Sequence, residues 1–194
     1  MSEKIPPLSE EIREELSPSR LAQRLLEVLP SRQGNKILDI GAKEANLQGE
    51  HAGDDCIFLA KEGNKVVLVE NRESILEKIG EKAKKYEVDS DIDLINGNPE
   101  NLNLPNDEFD AALSLSGLDG TVLPNSLMEI NRVLKPTAKA LLFIYYKSGG
   151  RLMQGPEEKL EQYILQSGMS VDSKFIRTID KEKGLEAIIF ELHK

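Results

Sequence analysis

Four short stretches hold the polar residues best placed to do chemistry: Ile37-Leu38-Asp39-Ile40-Gly41, Val69-Glu70-Asn71, Asn96-Gly97-Asn98-Pro99 and Ser114-Leu115-Ser116. Each stands at or just after the end of a short apolar run. A carboxylate at the tip of a buried strand can accept both hydroxyls of a ribose, which makes Glu70 a candidate nucleotide-binding acid. A glycine in the preceding turn lets backbone approach a ligand closely, which fits Gly41. Asp39 lies 31 positions before Glu70, longer than the usual interval of about 20 residues between a glycine loop and its ribose acid. The amide oxygen of Asn98 is a neutral acceptor. No residue declares itself as a catalytic acid, base or nucleophile. The single cysteine, Cys56, stands among Ile57, Phe58 and Leu59 and reads as a small core residue; His51 reads as a solvated side chain. With one cysteine and two distant histidines, His51 and His193, neither a disulfide framework nor a metal site is expected.

The elements that must position these residues alternate along the chain. Lys36–Ile40, Lys65–Val69, Ile92–Ile95, Ala111–Leu115 and Ala140–Tyr146 are rich in Ile, Val, Leu and Phe and lack polar alternation. That is the pattern of strands buried on both faces of a parallel sheet. Helices are predicted between them at Asp54–Glu62, Arg72–Tyr86, Ser126–Leu134 and Pro156–Gln166. Their boundaries are set by Gly63, Pro136, Pro156 and Gly168. Lys174–Ile179 and Leu185–Leu192 flank Asp180-Lys-Glu-Lys-Gly184 as a hairpin. The order predicts an α/β, Rossmann-like, doubly wound sheet of seven strands, mixed because the last is antiparallel, with helices on both faces. Glu10–Leu16 and Ser19–Leu29 read as two helices of an N-terminal extension, residues 1–34, ahead of one domain over 35–194.

Composition narrows the function classes. The chain has 194 residues, 39% hydrophobic and 30% charged, enough for one domain with a real core. A net charge of −9 removes the electrostatic basis for nucleic-acid binding. No apolar run approaches the ~20 residues of a membrane helix, and no apolar segment follows Met1-Ser-Glu-Lys4, so neither membrane insertion nor a secretory signal is expected. The expected compartment is the cytoplasm.

Taken together, Lys36-Ile-Leu-Asp-Ile-Gly41, Ile57-Phe-Leu-Ala-Lys-Glu-Gly-Asn-Lys-Val-Val-Leu-Val-Glu70, Asn96-Gly-Asn-Pro-Glu-Asn-Leu-Asn-Leu-Pro-Asn-Asp-Glu-Phe-Asp110 and Met128-Glu-Ile-Asn-Arg-Val-Leu-Lys-Pro136 resemble class I S-adenosylmethionine-dependent methyltransferases from Lys36 onward. The resemblance implies S-adenosylmethionine as cofactor. It implies Asp39, Gly41 and Ala42 beside the methionine end, Glu70 and Asn71 at the ribose, Asn98 and Pro99 at the adenine, and Ser114 near the reacting methyl. It also implies an unknown methyl acceptor, a small molecule or a protein; with about 35 residues before the sheet and no large insertion after strands four or five, a homodimer or partner subunit is expected to help cover the site. The first loop departs from the family. Gly41-Ala42-Lys43-Glu44-Ala45 keeps one of the three glycines of Gly-x-Gly-x-Gly, and Gly41 to Gly63 spans 22 positions where the related pattern spans 14. Either an inserted Ala42–Gln48 loop folds outward and Gly49 and Gly53 rebuild the cradle, or the cofactor site is filled. The corresponding functions are a methyltransferase, or an inactive methyltransferase-like partner or scaffold with weak or absent cofactor affinity. An NAD-dependent oxidoreductase is disfavoured because no Gly-x-Gly-x-x-Gly follows the first strand.

Overall fold

Strand residues with apolar side chains on both faces have to be covered twice, and the chain does this with helices on either side of one sheet. The computed structural model describes residues 16, 18–42, 51–115, 118, 123–147, 157–180 and 185–194. In chain order the elements are α1 (Arg20–Val28), β1 (Lys36–Ile40), α2 (Asp54–Lys61), β2 (Lys65–Glu70), α3 (Glu73–Lys85), a 3₁₀ turn (Asp89–Asp91), β3 (Ile92–Asn96) and β4 (Phe109–Ser114). Then follow α4 (Leu123–Val133), β5 (Leu134–Lys147), α5 (Glu157–Gln166), β6 (Ser170–Asp180) and β7 (Leu185–His193). The seven strands form one sheet in the order β3-β2-β1-β4-β5-β7-β6. β3, β2, β1, β4 and β5 pair in parallel, whereas β7 runs antiparallel to both β5 and β6. The seven-stranded mixed sheet expected from the alternating pattern is therefore present, and the reversed last strand lies inside it.

Side-chain alternation divides the core into two layers. Ile37, Val66, Leu68 and Leu113 face a layer built with α1, α2 and α3. Leu38, Ile40, Val67, Val69 and Ala112 face the layer of α4 and α5, where Leu127, Ile130, Leu160 and Ile164 are buried. The strands' own side chains thus fill both faces, and polar chemistry is displaced to their ends.

Several boundaries differ from the sequence expectation, with β4 starting at Phe109 and β6 at Ser170, and two of the differences have a plain cause in proline. β5 starts at Leu134, six residues before Ala140, so α4 passes directly into a strand. Leu134 pairs with Phe109, and the register then shifts between Phe109 and Ala111. This irregularity accommodates Pro136, which has no N–H to give a ladder, and Thr137, which adopts a φ of 68°. α4 begins at Leu123, ahead of the expected Ser126, because Pro124 falls in the first turn where a missing N–H breaks no helical bond. The predicted Glu10–Leu16 helix falls on residues that, apart from Leu16, lie outside those described.

The N-terminal helix is fastened to the domain by a polar contact as well as by burial of Leu21, Ala22, Leu25 and Leu26. Ser19 caps α1: its Oγ accepts from the Ala22 N–H at 3.0 Å and donates to Asp55 Oδ2 at 2.7 Å. The Ser19 N–H donates to Asp55 Oδ1 at 2.6 Å. Ser19→Ala removes the cap and one donor from a buried carboxylate, and is expected to lower stability by about 2–3 kcal/mol. Urea unfolding measures this, and an unchanged midpoint would show that α1 packs without help from the cap.

Candidate functional site

The pairing register lines up the carboxyl ends of the central strands. Ile40 of β1 lies beside Val69 of β2 and Ser114 of β4, while Glu70 lies beside Asn96 of β3. Open α/β sheets bind ligands at this edge. The turn after β1 is drawn toward β2. Gly41, at a φ of 79°, donates its N–H to the Val69 carbonyl at 2.9 Å. The next N–H, of Ala42, donates to Glu70 Oε2 at 2.9 Å.

Glu70 is the most densely bonded group at this edge. Its Oε1 accepts from the N–H of Asn71 at 3.0 Å, from the N–H of Arg72 at 3.1 Å and from Arg72 Nε at 2.8 Å. Arg72 Nη2 donates to Oε2 at 2.8 Å. The guanidinium therefore grips the carboxylate with two parallel bonds, one to each oxygen. Burial alone would push the Glu70 carboxyl up. The Arg72 side chain and the Ala42 N–H outweigh it and hold the pKa below the ordinary glutamate value. Arg72 was not among the sequence candidates. The signal available was its place two residues after a strand-end acid, where the turn into α3 brings the guanidinium back onto the carboxylate.

The other candidates are held mostly by the protein itself. Ser114 is fully buried and donates its hydroxyl to the Ile40 carbonyl at 3.0 Å, tying the ends of β1 and β4. Asn98 is exposed, and its Oδ1 accepts from the Glu100 N–H at 2.9 Å across a turn that contains Pro99. Asn71 is exposed and contributes its backbone N–H to Glu70. Asp39 is buried, and among the described residues no hydrogen-bond donor reaches its carboxyl. Burial first, and then the charges of Asp55 and Glu70, push its pKa well above the usual carboxylate range.

Below the loop, α2 begins with two buried acids. Asp55 is held by Ser19. Asp54 receives Lys82 of α3, and its Oδ2 lies 3.0 Å from His51 Nδ1, so His51 takes part in a polar cluster at the start of α2. Cys56 is fully buried and donates to the Gly53 carbonyl at 3.1 Å, the core placement its neighbours suggested. Burial foremost, with Asp39 and Asp55 adding to it, raises its thiol pKa well above the ordinary value, which leaves it a poor nucleophile. Gly53 has a φ of 75°, and a Cβ there would stand 2.8 Å from Ile79 Cγ1. Its glycine is required by close packing of α2 on α3. Lys43, Gly49 and the rest of the lengthened loop after Ala42, up to residue 50, lie outside the described residues, as does Ser116.

Residues 48–137 match the family model of the methyltransferase domain. Over 130 residues the chain is 28% identical to the ubiquinone/menaquinone biosynthesis C-methyltransferase UbiE of Shewanella sp. (strain ANA-3). That alignment takes in 66% of this chain and 50% of the relative, so the chain spans about half the length of the curated relatives it matches. Solved structures share the sheet. Geranyl diphosphate C-methyltransferase from Streptomyces coelicolor A3(2) superposes with a TM-score of 0.74 at 8% identity, over 90% of this chain and 77% of that one. The [4+2]-cyclase SpnF superposes with a TM-score of 0.73 at 17% identity, over 90% and 80%. The chain is thus similar to S-adenosylmethionine-dependent class I methyltransferases, in fold and along that matched stretch.

Within this methyltransferase fold the matched stretch begins at residue 48, past β1 and the single surviving glycine of the first loop. The cyclase neighbour also shows that the fold does not by itself fix the chemistry.

Asp39 sets a pH dependence whose sign follows from its position. Its folded-state pKa is raised, so between the ordinary value of 3.8 and that raised value the folded protein retains a proton the unfolded chain has lost. Stability contributed by this group therefore falls as pH rises through that window. Asp39→Asn is expected to stabilise the protein at pH 7 relative to wild type and to make little difference below pH 3.8, measured by chemical unfolding at both pH values. Equal effects at the two would show that Asp39 ionises in the folded state as it does unfolded.

Proposed function

We propose that the protein transfers a methyl group from S-adenosylmethionine to a small-molecule or protein acceptor, holding the cofactor against the tips of β1, β2 and β3. The observation that carries this reading is Glu70, a buried carboxylate at the β2 tip whose two oxygens are arranged to take two donors at once. A ribose presents such a pair of donors. The available groups fit an adenosyl ligand. Glu70 would accept from the ribose, Asn98 would offer its amide to the adenine, and the left-handed Gly41 turn would run beside the methionine end, close to Asp39 and Ala42. The bound cofactor supplies a methyl on a sulfonium, open to in-line displacement by the acceptor. The protein's share is to bind and orient the two partners, which can lower a barrier by about 7–11 kcal/mol when alignment is good.

A second reading, an inactive methyltransferase-like partner or scaffold, is favoured by one observation: every Glu70 oxygen already has donors from the protein itself. Calorimetric titration with S-adenosylmethionine and S-adenosylhomocysteine separates the two readings. Binding is expected, and Glu70→Ala should weaken it by roughly 1.5–3 kcal/mol, the range for hydrogen bonds to a charged group. No heat with either ligand favours the scaffold, and an unchanged dissociation constant in Glu70→Ala would make Glu70 a purely structural acid.

Among the described residues no helix is long and apolar enough to cross a membrane. We place the protein in the cytoplasm, a reading supported by its lone cysteine, kept as a buried free thiol. Its acceptor is not a nucleic acid on this reading, given the net charge of −9. Duplex DNA and RNA are expected to show no submicromolar binding at physiological salt in a fluorescence-anisotropy titration.

A further inference from the structure

The segment that joins β3 to β4 is held along its length by one face of α4. Asn125, Glu129 and Arg132 stand four and three residues apart, which puts them on the same side of that helix. All the N–H groups of the Arg132 guanidinium are used. Nε and Nη2 donate to the two oxygens of Glu129, each at 2.8 Å, and Nη2 also donates to the Leu102 carbonyl at 2.7 Å. Nη1 donates to the Leu104 carbonyl at 2.8 Å and to Asn106 Oδ1 at 2.7 Å. Glu129 Oε2 accepts the Leu102 N–H at 2.8 Å. Among the described residues, positions 102–106 make no backbone-to-backbone bond, so this pair supplies the partners that a strand or helix would have given. The helix that carries the pair is anchored by Leu123, Leu127 and Ile130, all fully buried.

The clamped segment starts at the candidate cofactor site. Gly97 donates its N–H to the Glu70 carbonyl at 3.2 Å, so the chain leaves β3 tied to the β2 tip. Asn98 Oδ1 then accepts the Glu100 N–H at 2.9 Å, and Glu100 Oε1 accepts from Asn125 Nδ2 of α4 at 3.2 Å. One lone pair of the Asn98 oxygen is taken by the turn, which fixes the direction of the amide and leaves the second for an incoming donor. We infer that Asn125, Glu129 and Arg132 are positioning residues for the base of the cofactor, holding the segment after β3 so that Asn98 presents its second lone pair to the amino group of the purine. The inference rests on the adenosyl-ligand reading given above. The three act through Asn98 and do so before the ligand arrives. Without them the segment would have to be ordered on binding, at the expense of affinity. An acceptor held in one direction also rejects a base that offers a carbonyl where adenine offers an amino group, which a loose one does poorly.

The test is calorimetric titration of wild type, Arg132→Lys and Asn125→Ala with S-adenosylhomocysteine and with S-inosylhomocysteine, whose purine carries a carbonyl in place of the amino group. Urea unfolding of each protein reports its folding. Ser19→Ala serves as a control weakened on the other face of the sheet. Wild type is expected to favour the adenosyl ligand. A lysine at 132 cannot grip both Glu129 oxygens and the carbonyls of the segment together. The ordering cost then falls on both ligands, but only the adenosyl base also loses an aligned hydrogen bond. Arg132→Lys should therefore weaken S-adenosylhomocysteine about tenfold and S-inosylhomocysteine about twofold. Asn125→Ala should reduce the preference in the same direction by about threefold. It removes an exposed side chain, so it decides the matter if Arg132→Lys does not fold. Ser19→Ala should keep the wild-type preference. Equal weakening of both ligands, an unchanged preference in the folded variants, or the same loss of preference in Ser19→Ala overturns the positioning role and leaves the adenosyl reading standing. So does a wild type that binds the two ligands alike. Binding of neither ligand by any of the four proteins overturns the adenosyl reading and the positioning role together.

Discussion

A carboxylate taken out of water must be given donors, and at the end of β2 that requirement shapes everything around it. Glu70 draws in the N–H of Ala42 from the turn after β1, and the N–H groups of Asn71 and Arg72 from the turn into α3. Two loops that are remote in sequence are thereby fixed to one side chain. The strand tips hold their positions because this acid is satisfied, and the same bonds keep it ionised. Burying the charge unpaired would cost several kcal/mol, so the network around Glu70 is as much a condition of the fold as a preparation for a ligand.

The neighbourhood is unusually rich in buried acid. Asp39, Asp54, Asp55 and Glu70 are all nearly inaccessible, yet they solve the same problem in different ways. Glu70 takes an arginine, Asp54 takes Lys82 and His51, and Asp55 takes both polar groups of Ser19. Asp39 has neighbouring acids and no described donor, and burial with those charges pushes its carboxyl pKa well above the usual range. The pairing of Asp55 with Ser19 also gives the N-terminal helix a function in the domain. It closes the layer over α2 and supplies donors to the end of the helix that follows the first loop.

Likeness of fold and residue-level chemistry speak to different questions here. The sheet order, the reversed seventh strand and the matched stretch over residues 48–137 are those of a methyltransferase fold. Cofactor affinity depends on the first loop, which keeps one glycine and lies before that stretch. Gly53, one of the two glycines that could rebuild the cradle, also meets a packing need, because Ile79 fills the space a side chain would occupy. Ser114 likewise ties β4 to β1 through the Ile40 carbonyl. Residues at family positions can thus be retained for packing.

The sequence by itself determined the elements and their order. Continuous runs such as Lys65–Val69 and Ala111–Leu115 can only be strands covered on both faces, and the helices between them force parallel crossovers. Boundaries at Leu123 and Leu134 escaped it, because Pro124 and Pro136 look like breaks and are tolerated in a first helical turn and at a register shift. Glu70 was legible as an acid at a strand tip because its position follows from the length of an apolar run. Its saturation was not, since that depends on where Ala42, 28 residues away, comes to rest and on which way Arg72 turns. Hydrophobic periodicity is local and additive, so one chain reveals it. The donors of a buried carboxylate come from segments that meet only after the sheet has formed, and the tertiary structure alone decided them.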